Sequence, residues 1–355
     1  MRLQVDALTL GAQGYGEYTR GLVAALVSRG HDVRISSILP QSSLEGFGPW
    51  GETCARLVGA HLKPDARLLV MPFFHFAARW VEGDRHVAVT MVEHSTDGPD
   101  LVRALNATAA VFVPCRYNEA VFREQGVTAP ITRVCPALPP DLPAEANDTA
   151  GVPYTFLSVF EWRNRKRSHK DPETLIRAYV EEFGADEPVR LRLKVFRDRA
   201  MIIRCLKDLK GELGLARAPE IEIVQGECRR EEHWGLFQAS DAYVSPHHSE
   251  GWGLPLFEAM GMGLPTIGTG FGGNTDFMTA DNSLLLGYAL DPQYLWANAD
   301  RSDLRRHMRW LFEHRAQGRA LGRRAQADLQ GKFTIAHTAE MLEDGLAMVE
   351  SPQCT

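Results

Sequence analysis

Short apolar runs alternate with helix-period segments along almost the whole chain. Residues 3–8 read as a strand, a glycine-containing turn follows (Gly11-Ala12-Gln13-Gly14-Tyr15-Gly16-Glu17), and residues 18–27 carry helical periodicity up to Arg29-Gly30. Further strand-like runs stand at 31–37, 67–72, 87–92, 109–113 and 131–134, with helices predicted over 100–106 and 119–125. Residues 40–66 show no clear pattern. Residues 136–151 are rich in proline, polar and aperiodic, which marks a linker.

The alternation then restarts. Strands are predicted at 155–160, 189–196, 221–224, 242–244 and 282–286, and helices at 173–183, 200–213, 231–239, 301–316, 318–330 and 334–349. Near-continuous apolar strands separated by helices imply parallel sheets covered on both faces. The pattern therefore predicts an α/β protein of two Rossmann-like domains, bounded at 1–136 and 153–333, with a linker at 137–152 and a terminal helix at 334–355.

Composition narrows the function classes. The chain has 355 residues, enough for two cores, with 45% apolar and 24% charged residues. A net charge of −6, with basic residues dispersed, argues against a nucleic-acid partner or an electrostatic membrane anchor. No apolar run reaches the roughly 20 residues of a membrane span. The start of the chain is too soon interrupted to be a signal peptide. The six cysteines have neither regular spacing nor a paired motif, so they read as thiols of a reducing cytoplasm.

One stretch, residues 245–265, carries the chemistry. After an apolar strand the chain turns through Gly251 and Gly253 and enters a helix with Pro255 expected at its first position. That helix is apolar nearly all round, so its single charge, Glu258, is costly unless paired. Side chains lean toward a helix N-terminus, where free backbone N–H groups also suit a phosphate. Amides for an anion beside two carboxylates, Glu250 and Glu258, outline a site for a nucleotide sugar. The plainer reading, a carboxylate complementing the helix dipole, stays open.

Two glutamates separated by seven residues, a Gly-aromatic-Gly turn and an Ala259-Met260-Gly261 helix end resemble the signature of glycosyltransferase family 4. The glycine-rich run from Thr266 to Met278 fits the family's following strand and loop. Pro114-Cys115-Arg116-Tyr117-Asn118 is similar to another family turn, with Cys115 in a serine position and Arg116 inserted. The resemblance implies the two-domain glycosyltransferase-B fold, its domains facing a cleft and its C-terminal helix packing back on the N-terminal domain. It also implies a retaining transfer of a sugar from a UDP- or GDP-sugar to a saccharide or other hydroxyl acceptor.

Site roles follow by the same resemblance. Glu250 and His94 take catalytic places. Glu258 holds the ribose hydroxyls, and the backbone of Gly251, Trp252, Gly253 and Leu254 faces the diphosphate. Gly14, Tyr15 and Gly16 approach the donor phosphate. The turn ending at Cys228 meets the base through its backbone. The basic loop after residue 160 assigns the diphosphate either to Arg165 and Lys166, counted from the strand, or to Lys170, counted from the helix. A merely solvated loop is the alternative. His75 and Glu93 fall on the acceptor side, His75 equally as core and His94 equally as a structural histidine. No cofactor and no metal is implied, and no DxD carboxylate pair stands in a suitable loop. Other readings of the same residues are a nucleotide-sugar epimerase or hydrolase, and a non-catalytic nucleotide-sugar-binding partner.

Overall fold

The structure is a computed structural model that describes residues 1–11, 14–39, 44, 46–61, 63–93, 98–144, 153–162, 168–196, 199–293 and 296–350. The chain divides into two compact units, Met1–Asp141 with Gly331–Thr355, and Leu142–Gln330.

The first unit is a parallel sheet of six strands: β1 (Arg2–Thr9), β2 (Asp32–Leu39), β3 (Ala66–Val70), β4 (His86–Val89), β5 (Ala110–Val113) and β6 (Ile131–Arg133). Their order is β2-β1-β3-β4-β5-β6, so the chain reverses direction across the sheet between β1 and β3. The strand interiors are apolar because both faces are covered. One face packs Leu3, Val5, Leu68 and Val87 under helix α1 (Gly14–Ser28). The other packs Leu69, Ala88, Val111 and Val113 with Leu101 and Leu105 of α3 (Gly98–Asn106) and Phe122 of α4 (Arg116–Glu124). Helix α2 (Gly48–Leu57) lies in the stretch without sequence pattern. It buries only Trp50, Gly51 and Cys54, too few positions to give a period.

The second unit repeats the plan. Its sheet holds β7 (Tyr154–Phe160), β8 (Val189–Val195), β9 (Glu220–Gln225), β10 (Ala242–Ser245), β11 (Thr266–Thr269) and β12 (Leu284–Leu286). All pair in parallel, in the order β12-β11-β10-β7-β8-β9, with the reversal between β7 and β10. The connecting helices are α5 (Pro172–Glu182), α6 (Arg199–Glu212), α7 (Arg230–Gln238) and α8 (Leu254–Gly261). A short antiparallel hairpin, β13 (Tyr288–Leu290) with β14 (Ala297–Ala299), precedes α9 (Arg301–Glu313) and α10 (Arg315–Lys332).

Helix α10 lies directly on the turn after α8. A Cβ at Gly322 would stand 1.9 Å from the carbonyl oxygen of Gly263, a backbone atom that cannot step aside. Gly322→Ala is therefore expected to cost about 1–3 kcal/mol, the usual range for overpacking, and to lower the denaturant midpoint. Gly331→Ala in the same helix meets nothing within 4 Å and should instead gain up to about 1 kcal/mol of helix propensity.

The last helix, α11 (Ile335–Glu350), belongs to the first unit and not to its sequence neighbour. Ala339, Leu342, Leu346 and Val349 join the core beneath α1. Gly345 lets the helix approach the ring of Phe112, which a Cβ would meet at 2.6 Å. Arg85 closes its end by donating to the Val349 carbonyl at 2.7 Å.

Candidate functional site

In an open parallel sheet, ligands gather at the carboxyl ends of the strands where the topology reverses. In the second unit these are the ends of β7 and β10, and each delivers a charged side chain. Lys170, in the connection after β7, forms an ion pair with Glu250, in the connection after β10. Glu250 is buried and Lys170 nearly so, with side-chain exposures of 5% and 17%. The turn that aims Lys170 is tight. Asp171 adopts φ +43°, the one left-handed non-glycine residue among those described. Aspartate tolerates this region, and its Oδ1 then accepts from the Thr174 N–H at 3.2 Å, capping α5. Burial raises the Asp171 carboxyl, against the opposing charge of His248.

Glu250 is seated from below by the loop after β11. The Gly273 N–H donates to the Glu250 carbonyl at 2.7 Å. A Cβ at Gly273 would lie 2.2 Å from the Gly251 carbonyl oxygen, and Gly272 sits at φ +97°. Only glycine allows this contact. The loop is itself pinned by His247, whose Nε2 lies 3.1 Å from both the Phe271 carbonyl and Asn274 Oδ1. Burial lowers the His247 pKa, and its Nδ1 lies 3.0 Å from the Ser245 carbonyl and 3.2 Å from the Ser245 hydroxyl. His248 faces the other way, toward the Ala297 carbonyl and the ring of Trp296.

Helix α8 starts one residue earlier than expected. Gly253, at φ 92°, is its N-cap, Leu254 is its first residue, and Pro255 is second rather than first. Its first intrahelical bond runs from Phe257 N–H to the Gly253 carbonyl at 3.0 Å. The Trp252 side chain is core, packed on Phe257 and Phe277, so only its backbone can serve a ligand. Glu258 is the fifth helical residue, beyond the first turn in which a dipole acts strongly. It is instead paired, its Oε2 standing 3.1 Å from His233 Nε2 of α7. His233 also hydrogen-bonds the Cys228 thiol. Burial pulls the imidazole down, but the bonds to Cys228 and Glu258 prevail and lift it to about 9.

In the first unit the reversal lies between β1 and β3. The connection after β1 is mostly helix: α1 begins at Gly14, so Gly14, Tyr15 and Gly16 form its first turn and not a free loop. The cause is Arg20, fully buried, which donates to the carbonyls of Leu10 (2.5 Å) and Gly11 (2.7 Å) and pairs with Glu17. Gly16 is pressed against the Gly11 carbonyl, where a Cβ would come within 2.1 Å. The Tyr15 hydroxyl meets the end of β4, 3.4 Å from Thr90 Oγ1 and from the Met91 N–H. Glu93, partly buried, lies two residues beyond. Asn118, in the first turn of α4, accepts from the Val92 N–H at 2.6 Å and donates to Cys115 Sγ at 3.1 Å. His75 sits in a 3-10 turn, Phe73–Ala78, at the end of β3, with its ring against Phe74.

His94, Arg165 and Lys166 lie outside the described residues. Sequence reasoning missed His233, Arg20 and the Gly272-Gly273 seat. The first two look like ordinary helix residues, whereas the glycine pair was visible without its contact. Among the described residues, no group of three or more His, Cys, Asp or Glu side chains could hold a metal ion, and no helix is long and apolar enough to cross a membrane.

Residues 206–328 match the family model described as "Glycosyl transferases group 1". The matched residues lie within the second unit, which is therefore similar to group 1 glycosyltransferases over that span. The matched span runs from the middle of α6 through α9 and most of α10, including Glu250 and Glu258. A D-inositol 3-phosphate glycosyltransferase of Corynebacterium urealyticum is 30% identical over 166 residues, 43% of this chain and 36% of that relative. The chain thus aligns with about a third of that curated relative's length. Over the whole chain the likeness is structural. Sucrose-phosphate synthase from Thermosynechococcus elongatus superposes with a TM-score of 0.72 at 16% identity, covering 98% of this chain and 99% of that one. Anabaena HepE, solved in complex with UDP-glucose, gives 0.70 at 13% identity with the same coverage. The fold is the glycosyltransferase-B fold that the resemblance to glycosyltransferase family 4 implied.

Proposed function

We propose that the protein is a retaining glycosyltransferase that moves a sugar from a nucleoside diphosphate to a hydroxyl acceptor. The observation that carries this reading is the buried Lys170–Glu250 pair at the reversal of the second sheet, beside the N-terminus of α8. Lys170 and the helix amides supply positive potential where a departing diphosphate would gather charge. Glu250 accepts from the sugar hydroxyls and Glu258 from the ribose. The anomeric C–O bond to the diphosphate breaks as the acceptor oxygen bonds on the same face. The acceptor's proton passes to the released phosphate oxygen. His94 keeps a catalytic place, His75 and Glu93 are assigned to the acceptor side, and the turn ending at Cys228 to the base. Because Lys170 and the amides meet the charge, the reading requires no metal, and turnover should survive a chelator.

HepE in complex with UDP-glucose supports a uridine donor as the first to test, with a guanosine donor second. A thermal-shift screen of UDP-, GDP-, ADP- and TDP-sugars, followed by product analysis, tests the reading, since a ligand that binds the native state raises its stability. No shift from any nucleotide would sink it. Free sugar or an epimerised donor formed without acceptor would indicate a hydrolase or epimerase instead. Lys170→Ala is expected to weaken nucleoside diphosphate affinity about tenfold or more, because hydrogen bonds to charged groups are worth about 1.5–3 kcal/mol. Titration calorimetry would measure the loss, and an unchanged affinity would return the diphosphate to Arg165 and Lys166.

A further inference from the structure

The connections after β7 and β10 run beside each other, joined where the His248 N–H donates to the His169 carbonyl at 2.7 Å. They carry two side-chain pairs. One is Lys170 with Glu250. The other is Asp171 with His248, Oδ2 to Nε2 at 3.7 Å. A cavity of about 380 Å³ opens on the second pair, and neither Lys170 nor Glu250 lines it. Trp162 just after β7, Ser168, Asn298 of β14 and Arg301 of α9 contribute to its wall. The volume lies within the range of small-molecule sites.

Ser168 brings to this wall a group that the protein does not satisfy. The residue is 8% exposed, and its hydroxyl is buried without a hydrogen-bond partner. Such a group costs stability unless something else meets it. The gap between Asp171 and His248 points the same way. At 3.7 Å the two stand beyond hydrogen-bond reach. The ring is fixed there, because its Nδ1–H donates to the Ala297 carbonyl at 2.9 Å and leaves Nε2 toward the carboxylate.

Charge decides what can fill the space. Asp171 and Glu173 line it together with Arg177 and Arg301, so neither sign prevails. Both guanidinium groups already hold glutamates: Arg177 binds Glu212 at 2.8 and 2.7 Å, and Arg301 meets Glu181 at 3.3 Å. At the start of α5, the Thr174 N–H donates to Asp171. An anion therefore finds these donors engaged, and a cation finds two arginines. A neutral molecule bearing many hydroxyls meets neither obstacle, since each hydroxyl both donates and accepts.

We propose that this cavity is a second saccharide site, separate from the donor site, and that it takes a neutral sugar. One sugar hydroxyl bonds Ser168 Oγ. Another bridges Asp171 and His248, and the Trp162 side chain gives the ring an apolar wall. The proposal stands without the reading of Glu250 and Glu258 as nucleotide-sugar ligands.

The test titrates the whole chain with glucose, galactose, mannose and maltose by ligand-observed NMR, with inorganic phosphate and calcium as charged probes. At least one of the sugars is expected to bind in the millimolar range and to slow hydrogen exchange at 168–174 and 297–301. Asn298, exposed on the hairpin, should tolerate Asn298→Trp, whose indole fills the cavity and abolishes binding. Ser168→Ala should weaken binding about three- to tenfold, the worth of one hydrogen bond, while melting no lower than the native chain when no sugar is present. Glu250→Gln should leave the sugar affinity within about twofold, as independent sites do. No binding of any of the four sugars at tens of millimolar overturns the proposal. So does sugar binding that is unchanged in Ser168→Ala or in Asn298→Trp, or lost in Glu250→Gln. Phosphate or calcium binding that Asn298→Trp abolishes, without any sugar binding, overturns the neutral class.

Discussion

Glu250→Gln is expected to lower turnover about a hundredfold, the scale on which single polar contacts to a transition state act, while the affinity for free UDP holds or improves. The asymmetry follows from the ion pair. Without a donor, the Glu250 carboxylate holds the Lys170 ammonium. A diphosphate must compete for that lysine, and an amide of the same shape competes less. The sugar, by contrast, loses a charged acceptor for its hydroxyls. Steady-state kinetics beside UDP titration would separate the two effects. A loss of UDP affinity as large as the loss of turnover would reduce Glu250 to a structural partner of Lys170. Because Gly273 grips the Glu250 backbone and not its side chain, the substitution should leave the loop in place.

Glu258→Ala should weaken UDP binding about tenfold to a hundredfold, since each hydrogen bond to a charged acceptor contributes about 1.5–3 kcal/mol. The sharper measurement compares UDP with its 2′-deoxy analogue. The native protein is expected to prefer the ribose form, and Glu258→Ala to lose that preference. The coupling between the two changes isolates the contact. A preference retained in the variant would leave Glu258 as no more than the counter-ion of His233. The alanine also strands a buried imidazole, so His233 should titrate lower in this variant. NMR of the ring would follow it.

Much of the second unit was readable in the chain itself. A lone glutamate in an apolar helix demands a partner, which singles out Glu258, and a Gly-Trp-Gly turn ahead of it announces a backbone that must come close to something. The choice between Lys166 and Lys170 was not readable, because it turns on how the chain between β7 and α5 folds. The left-handed Asp171 aims Lys170 at Glu250, and no periodicity encodes such a turn. The partner of Glu258 was equally hidden. His233 sits at an ordinary position of α7, and its meaning comes from a helix 25 residues further on.

In the first unit the strands emerge from apolar runs, but the start of α1 does not. Glycines at 14 and 16 read as loop, whereas Arg20 pulls the Leu10 and Gly11 carbonyls inward and turns the same residues into helix. Local propensity yields there to a buried side chain reaching back ten residues.

The placement of α11 has a consequence for biogenesis. On the ribosome, the amino-terminal body emerges first, yet the helix that packs on α1 and against Phe112 arrives only after nearly two hundred further residues have been synthesised. Until then it remains an unfinished, sticky intermediate. A premature stop codon ahead of α11 would thus damage the part of the protein made earliest, and chaperone dependence should concentrate in that half.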